Sequence, residues 1–326
     1  MNKKILVIGG GGYVGTVLVN KLLSIGHEVS VYDLFIYGNY LKSNNNLKII
    51  QGDVRNIEKL KKNLKGIDTV IHLACISNDP SFELNPLLAK SINYDCFKPL
   101  VEIAAQSGIS RFIYASSSSV YGIKNQKDVN ENSTLEPLTD YSKFKAKCEE
   151  ILINNSQKDF HPIILRPSTV NGFSPRQRLD VVVNIMTNLA YHKNKITVFG
   201  GEQLRPNIYM EDMIRAYLCV LEAPLHLVSG EAFNVGEENL TVNEIALSVK
   251  KELKKDVIIE KSHSDDNRSY HVSSSKIKKH LNFDLKHNIN DGIRSLLNAF
   301  EAKILLNTIS DEKFYNLKVL AKTDLL

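Results

Sequence analysis

Tyr141 and Lys145 lie four residues apart in YSKFKAKCEEIL (141–152), shortly after four consecutive hydroxyls in ASSSSVYG (115–122). On a helix the tyrosine and lysine share one face. A phenol has a reference pKa near 10 and is a poor base at neutral pH. A neighbouring ammonium stabilises the phenolate and brings proton abstraction within reach. A serine nearby could hold the alcohol whose proton is taken. Tyr-x-x-x-Lys also arises by chance as a surface pair, and a serine run can fill a turn. The positions of these groups in the fold therefore decide their meaning.

A second cluster sits near the start of the chain. Gly9, Gly12 and Gly15, within GGGGYVG (9–15), follow the apolar run KILVIGG (4–10) and open an amphipathic segment. Only glycine lets the backbone turn this tightly and lets a pyrophosphate approach a helix N-terminus, whose N–H groups bind anions. Tyr13 and Val14 belong to the same loop. Asp33 ends the second predicted strand, where a carboxylate can accept adenosine ribose hydroxyls and would repel a 2′-phosphate, which favours NAD over NADP. A cap or turn role is the plainer alternative for that residue. A positive nicotinamide ring would add to the effect of Lys145 on the phenol.

The elements that must hold these groups follow from apolar patterning. Runs at 4–10, 28–33, 47–53, 68–74, 111–116 and 161–167 predict strands. Helices are expected over 13–24, from Asn85-Pro86 to Gln106, and over 141–152. Their alternation implies an α/β fold with a Rossmann-type, doubly wound parallel sheet. Tyr141 then opens the helix after the fifth strand, close to the serine run. Beyond residue 167 Pro and Gly become frequent. The expected organisation is an NAD-binding domain over 1–167 and a smaller, mixed α/β, mainly substrate-binding domain over 168–326, with some segments returning to the first. The tail after Ala299 is moderately amphipathic and suggests no function.

Composition sets limits. The chain has 326 residues, 43% hydrophobic and 24% charged, with a net charge of +5. KKELKK (250–255) and KIKK (276–279) fit solvated helix faces, and no aromatic–basic interleaving suggests a nucleic-acid platform. The lysines and apolar run of the N-terminus imitate a signal peptide, but glycines cut the run short and no cleavage site follows. No stretch approaches the roughly 18 apolar residues of a membrane span. Cys75, Cys96, Cys148 and Cys219 are scattered and read as reduced core residues. No metal site is expected, and a cytoplasmic location is.

Taken together these pieces resemble an extended short-chain dehydrogenase/reductase of the nucleotide-sugar epimerase/dehydratase family, NAD-dependent and UDP-glucose 4-epimerase-like. GGGGYVG, Asp33, GDVR (52–55), HLACIS (72–77), Asn93, ASSSSVYG, PLTDYSKFK (137–145), LRPSTVNG (165–172), FGGEQLRPNIYMED (199–212) and EAFNVG (231–236) carry the resemblance. It implies Asp53 and Val54 at the adenine, Leu73 and Ala74 along the cofactor, and Asn93 as a support of the active site. Lys145 would also hold the nicotinamide ribose. The catalytic hydroxyl lies three residues before the valine of V-Y-G and is therefore Ser117. Ser117 would hydrogen-bond the sugar hydroxyl that Tyr141 deprotonates. Relatives that eliminate water carry an Asp-Glu pair after that hydroxyl, whereas this chain has Ser118 and Ser119, so 4,6-dehydration is not expected.

The resemblance also implies a nucleotide-diphosphate sugar as substrate. Ser77 sits where relatives touch the sugar, with Asn78-Asp79 either helping or forming a turn before Pro80. Arg205 matches the arginine at the diphosphate, and Arg268 is a further candidate. Arg176 and Arg178 in SPRQRLDVVVNIM (174–186) fit phosphate binding or a solvated loop. Thr169 and Asn171 occupy the segment where the usual motif is replaced. The P-R-x-R-x-D-x-x-V-N pattern resembles a branch of bacterial surface-polysaccharide enzymes. The expected activity is epimerisation through a 4-keto intermediate. A 4-dehydrogenase or 4-ketoreductase with net redox change is the close alternative, and a non-catalytic NAD-binding sensor or scaffold the remote one. A homodimer built on the helices around Phe97–Gln106 and Tyr141–Leu152 is implied, with neither nucleic acid nor membrane as partner.

Overall fold

The computed structural model of the chain describes residues 2–126, 128–264 and 269–323. Strands β1 (Lys4–Ile8), β2 (Glu28–Asp33), β3 (Leu47–Gln51), β4 (Thr69–His72), β5 (Arg111–Ala115) and β6 (His161–Pro167) come first. They are followed by β7 (Thr169–Asn171), β8 (Lys195–Phe199), β9 (Leu204–Tyr209), β10 (Glu231–Val235), β11 (Glu238–Thr241) and β12 (Ile258–Ser262). Seven of them form one parallel sheet in the order β10-β6-β5-β4-β1-β2-β3. The chain reverses direction across the sheet between β1 and β4, which opens a crevice at the carboxyl ends of those strands.

Alternation along β1 shows why the sheet forms. Ile5 and Val7 face one core with Leu18 and Leu22 of the helix Tyr13–Ser24 and Met213 and Val220 of the helix Met210–Glu222. Leu6 and Ile8 face the other, with Leu60, Phe97, Leu100 and Leu152 from three helices on the opposite layer. All four strand residues are fully buried, and each such side chain contributes about 1.5–3 kcal/mol by leaving water. β10 returns to the edge of this sheet beside β6, although β6 ends at Pro167 and β10 starts only at Glu231.

The rest of the chain builds a small sheet, β11-β9-β7, and a parallel pair, β12-β8. The helices Val182–Lys193, Val242–Leu253 and Ile289–Glu301 share a separate apolar cluster around Val183, Ile245 and Leu296. Among the described residues no helix is long and apolar enough to cross a membrane, and no group of three or more His, Cys, Asp or Glu is placed to hold a metal.

The helix expected from Asn85 to Gln106 is instead several pieces. Helices Asp79–Leu84 and Pro86–Lys90 precede a wider π turn over Ser91–Asp95, and Phe97–Gln106 follows. Pro99 explains the widening. It has no N–H to give the carbonyl four residues earlier, and its ring crowds that carbonyl, so the backbone loosens just ahead of it.

Candidate active site

The glycine loop after β1 is built so that no side chain stands over the start of the next helix. Gly9 has φ +86°, and a Cβ there would lie 2.4 Å from the backbone nitrogen of Ala74. A Cβ on Gly15 would lie 2.5 Å from the Gly9 carbonyl oxygen. Gly12 precedes Tyr13–Ser24 and no side chain caps that helix, so its first N–H groups remain available to an anion. This cradle fits a dinucleotide pyrophosphate. Asp33, at the end of β2, accepts from the backbone N–H of Gly11 at 2.9 Å and of Phe35 at 2.7 Å. It thus ties the loop to the chain leaving β2, and burial raises its pKa despite those donors. The ribose and turn roles weighed for it are compatible, because a carboxylate has further lone pairs to offer.

At the ends of β4, β5 and β6 the chain enters a cavity of about 520 Å³. Gly9, Gly12, Tyr13, Val14 and Gly15 line it together with Leu73, Ser77, Ser117, Tyr141, Lys145 and Thr169. Arg176, Arg178 and Arg205 line it as well. Ser117 caps the single 3-10 turn Ser118–Tyr121, its Oγ accepting from the Ser119 N–H at 3.2 Å and lying 2.9 Å from Ser119 Oγ. Tyr141 opens the helix Asp140–Asn154, which Thr139 and Ser142 close with a reciprocal capping box. Such a cap fixes where the first helical turn points.

Lys145 Nζ donates to the Ala115 carbonyl at 2.6 Å and lies 5.9 Å from the Tyr141 ring centroid. Burial raises the Tyr141 phenol well above its ordinary value, and Cys75 and Asp79 push the same way. Arg178 and a hydrogen bond with Ser117 oppose the rise. The lowering expected from Lys145 does not prevail in the chain itself, because withdrawal from water penalises the phenolate more than Arg178 and Ser117 favour it.

A buried polar network lies beneath the serine turn. Ser116 Oγ donates to the Glu149 carboxylate. Arg166, from β6, grips the same carboxylate through Nε at 3.0 Å and Nη2 at 2.6 Å, and gives Nη1 to the Tyr121 hydroxyl at 2.7 Å. Tyr121 donates to Asn234 Oδ1 on β10 at 2.7 Å. Ser116 thus spends its hydroxyl on the scaffold, although it lines the cavity together with Ser117.

The segment after β7 forms the facing wall. Tyr13 donates to the Gly172 carbonyl at 2.6 Å, and Ser174 Oγ to the Tyr13 carbonyl at 2.7 Å, which fastens this segment to the glycine loop. Arg178 pairs with Asp180 at 2.5 Å and donates to Ser77 Oγ at 2.8 Å. Arg176 stacks over Tyr37 at 3.9 Å and donates to Asn316 Oδ1 at 2.6 Å. Both arginines are buried, so the solvated-loop alternative does not describe them. Arg176 Nε and Arg178 Nη2 have no hydrogen-bond partner among the described residues. Such atoms are costly to leave unmet inside a protein.

Other expected residues lie elsewhere. Asn171 is fully buried and donates to the Ile208 carbonyl at 3.1 Å, outside the lining of this cavity. Asp53 is clasped by Arg55 at 2.7 Å beside a shallow surface depression, and Val54 belongs to the core. Asn93 pairs with both the N–H and the carbonyl of Ile76, at 2.8 and 2.9 Å, and so steadies the chain leaving β4. Asn78 caps Asp79–Leu84 by accepting from Ser81 N–H at 2.9 Å, as the turn alternative has it, and it lines the cavity together with Asp79. Arg268 lies outside the described residues. Sequence reasoning missed Tyr37, Cys75, Tyr270 and Asn316, which also line the cavity. Only Cys75, inside HLACIS, carried a local signal.

The model of the NAD dependent epimerase/dehydratase family matches residues 5–236. An uncharacterized UDP-glucose epimerase of Bacillus subtilis is 33% identical over 254 residues, covering 72% of this chain and 76% of that protein. A UDP-glucose 4-epimerase of Lactobacillus helveticus is 27% identical over 267 residues, covering 76% and 81%. The solved structure of MoeE5 in complex with UDP-glucuronic acid and NAD superposes with a TM-score of 0.82 at 24% identity, covering 92% of this chain and 99% of that one.

Proposed function

We propose, on the premise that the chain belongs to the NAD dependent epimerase/dehydratase family of nucleotide-sugar enzymes, that it epimerises a nucleotide-diphosphate sugar through a 4-keto intermediate. The observation that carries this reading is the convergence of Ser117, Tyr141 and Lys145 with the glycine loop and with Arg178 and Arg205 along one cavity. NAD, the cofactor of this family, supplies hydride acceptance and return. Tyr141 takes the proton of the sugar hydroxyl and later returns a proton to the keto oxygen. Ser117 donates to that oxygen and holds it toward the phenol. Lys145, fastened to the Ala115 carbonyl, contributes positive charge beside the ring.

Arg178 and Arg205 offer guanidinium forks to the diphosphate and sugar oxygens, with Ser77 and Thr169 as further polar contacts. Ser118 and Ser119 stand where elimination would need an acid and a base, and a serine hydroxyl serves as neither at neutral pH. A role in bacterial surface-polysaccharide synthesis, a cytoplasmic location and a homodimer built on the helices around Phe97–Gln106 and Tyr141–Leu152 belong to the same proposal.

The test is incubation with NAD and a panel of UDP-, GDP-, CDP- and dTDP-sugars, following NADH absorbance and examining the product by NMR. An inverted sugar without accumulated NADH is expected, and Tyr141→Phe should lose at least about a hundredfold in turnover. Stoichiometric NADH with a released keto sugar would make the protein a dehydrogenase and overturn the epimerase reading.

A further inference from the structure

The tail that suggested no function in the sequence reaches this cavity through Asn316. Phe314 is buried against the cluster of the three C-terminal helices, and its carbonyl accepts from Leu179 N–H at 2.8 Å. Leu317 N–H reaches Asp180 Oδ2 at 3.4 Å. The short helix Asn316–Leu320 packs on Asp79–Leu84, and Leu320 adds to the apolar cluster that holds Phe82. Asp79 and Pro80 line one side of the cavity, and Arg176, Arg178 and Asp180 line another. The tail thus joins both sides.

Asn316 is the tail's polar contact with Arg176. Its Oδ1 takes one Nη of Arg176 while Tyr37 covers the guanidinium face. Arg176 is 2% exposed, and its Nε lacks a partner among the described residues. Its charge acts on Asp33, Tyr13 and Tyr37, the residues around the glycine loop and the end of β2. Asp180, the carboxylate on the same segment, is engaged by Arg178. A buried cation left incompletely matched is a site for an anion. Its action on Tyr13 and Asp33 puts the glycine loop, whose cradle fits a dinucleotide pyrophosphate, on its side of the cavity.

We propose that residues 311–320 form a strap closed over the cofactor cleft, in which Asn316 positions Arg176 against the pyrophosphate of NAD and so slows NAD release. Arg176 then faces the cofactor and not the sugar nucleotide. Asn316 is a positioning residue, since it acts through Arg176. The strap must swing away from Asp79–Leu84 and Asp180 for NAD to leave, and a slow exit suits an enzyme that reuses its cofactor in each turnover. The inference concerns NAD alone and does not depend on the sugar reaction.

Release of bound NADH, chased with excess NAD and followed by NADH fluorescence with no sugar present, tests it. Asn316→Ala should release NADH roughly tenfold faster, as loss of a hydrogen bond to a charged group implies. Arg176→Met should release it faster still, and a chain ending at Asp311 should at least match Asn316→Ala. Thr308→Val is the structural control. It removes the donor to Asn188 Oδ1 at 2.6 Å in the same tail, and should lower the melting temperature with release unchanged.

Release from Asn316→Ala within about twofold of wild type overturns the proposal, even if the shortened chain fails to fold. So does equal acceleration in Thr308→Val, which would make the effect one of general loosening. A raised KM for the sugar nucleotide with unchanged NADH release would move Arg176 to the substrate and also overturn it. A chain that turns over no sugar in the panel, yet releases NADH faster as Asn316→Ala, sinks the epimerase reading and leaves the strap standing.

Discussion

Arg166 and Arg176 are both buried guanidinium groups near the same cavity, and they are held in opposite ways. Arg166 has both Glu149 oxygens and the Tyr121 hydroxyl as partners, and its pKa is raised. Arg176 has an amide, a ring face and an unmet Nε, and burial lowers its pKa to about 10. It stays charged at neutral pH without a carboxylate of its own. A fully matched buried charge fixes a scaffold, here the turn that carries Ser117. A buried charge left partly unmatched has hydrogen-bonding capacity to spare. On the reading proposed above, the difference separates architecture from recognition within one site.

Three experiments bear on that contrast, beginning with the largest effect. Arg166→Met strands Glu149 in the interior and should cost about 3–5 kcal/mol of stability. Arg176→Met strands no carboxylate, so chemical denaturation should show a change within about 1 kcal/mol. Equal losses in the two variants would erase the distinction. Next come the neighbouring serines. Ser117→Ala should reduce turnover about a hundredfold with little loss of stability. Ser116→Ala should do the reverse, costing about 1–2 kcal/mol while turnover stays near wild type. Turnover and thermal melts of both variants check the exchange.

The smallest effect concerns His72, a third buried basic group. It stacks against both Phe97 and Tyr114, and burial, with the Lys145 charge adding, lowers its pKa from 6.5 to about 3. The folded-state value lies below the unfolded one. Its contribution to stability is therefore present above about pH 6.5 and lost progressively as pH falls toward 3. Melting temperatures measured from neutral to mildly acidic pH should fall less steeply in His72→Leu than in the wild type. Parallel slopes would mean that the histidine does not titrate with unfolding.

Much of the large sheet was legible because its cues are local. The helix Tyr13–Ser24 and the strands Glu28–Asp33 and His161–Pro167 lie where the pattern puts them. The glycine loop could be read because its backbone geometry admits no other residue at Gly9 and Gly15. The 86–106 helix was not legible as pieces, since the amphipathic pattern continues across the π turn that Pro99 imposes. Asn171 looked like a ligand contact by its place in a motif, yet its side chain turns into the core toward Ile208.

By itself the sequence determined the α/β order, the glycine loop and the spacing of Ser117, Tyr141 and Lys145. These depend on side-chain period and backbone freedom over a few residues. The tertiary structure alone decided which polar groups meet. Asn316 and Arg176 stand 140 residues apart, and β10 reaches β6 across a whole substructure. No local pattern encodes such contacts. They follow from the packing of separate apolar faces, which brings distant polar groups together and leaves some matched and others without a partner among the described residues.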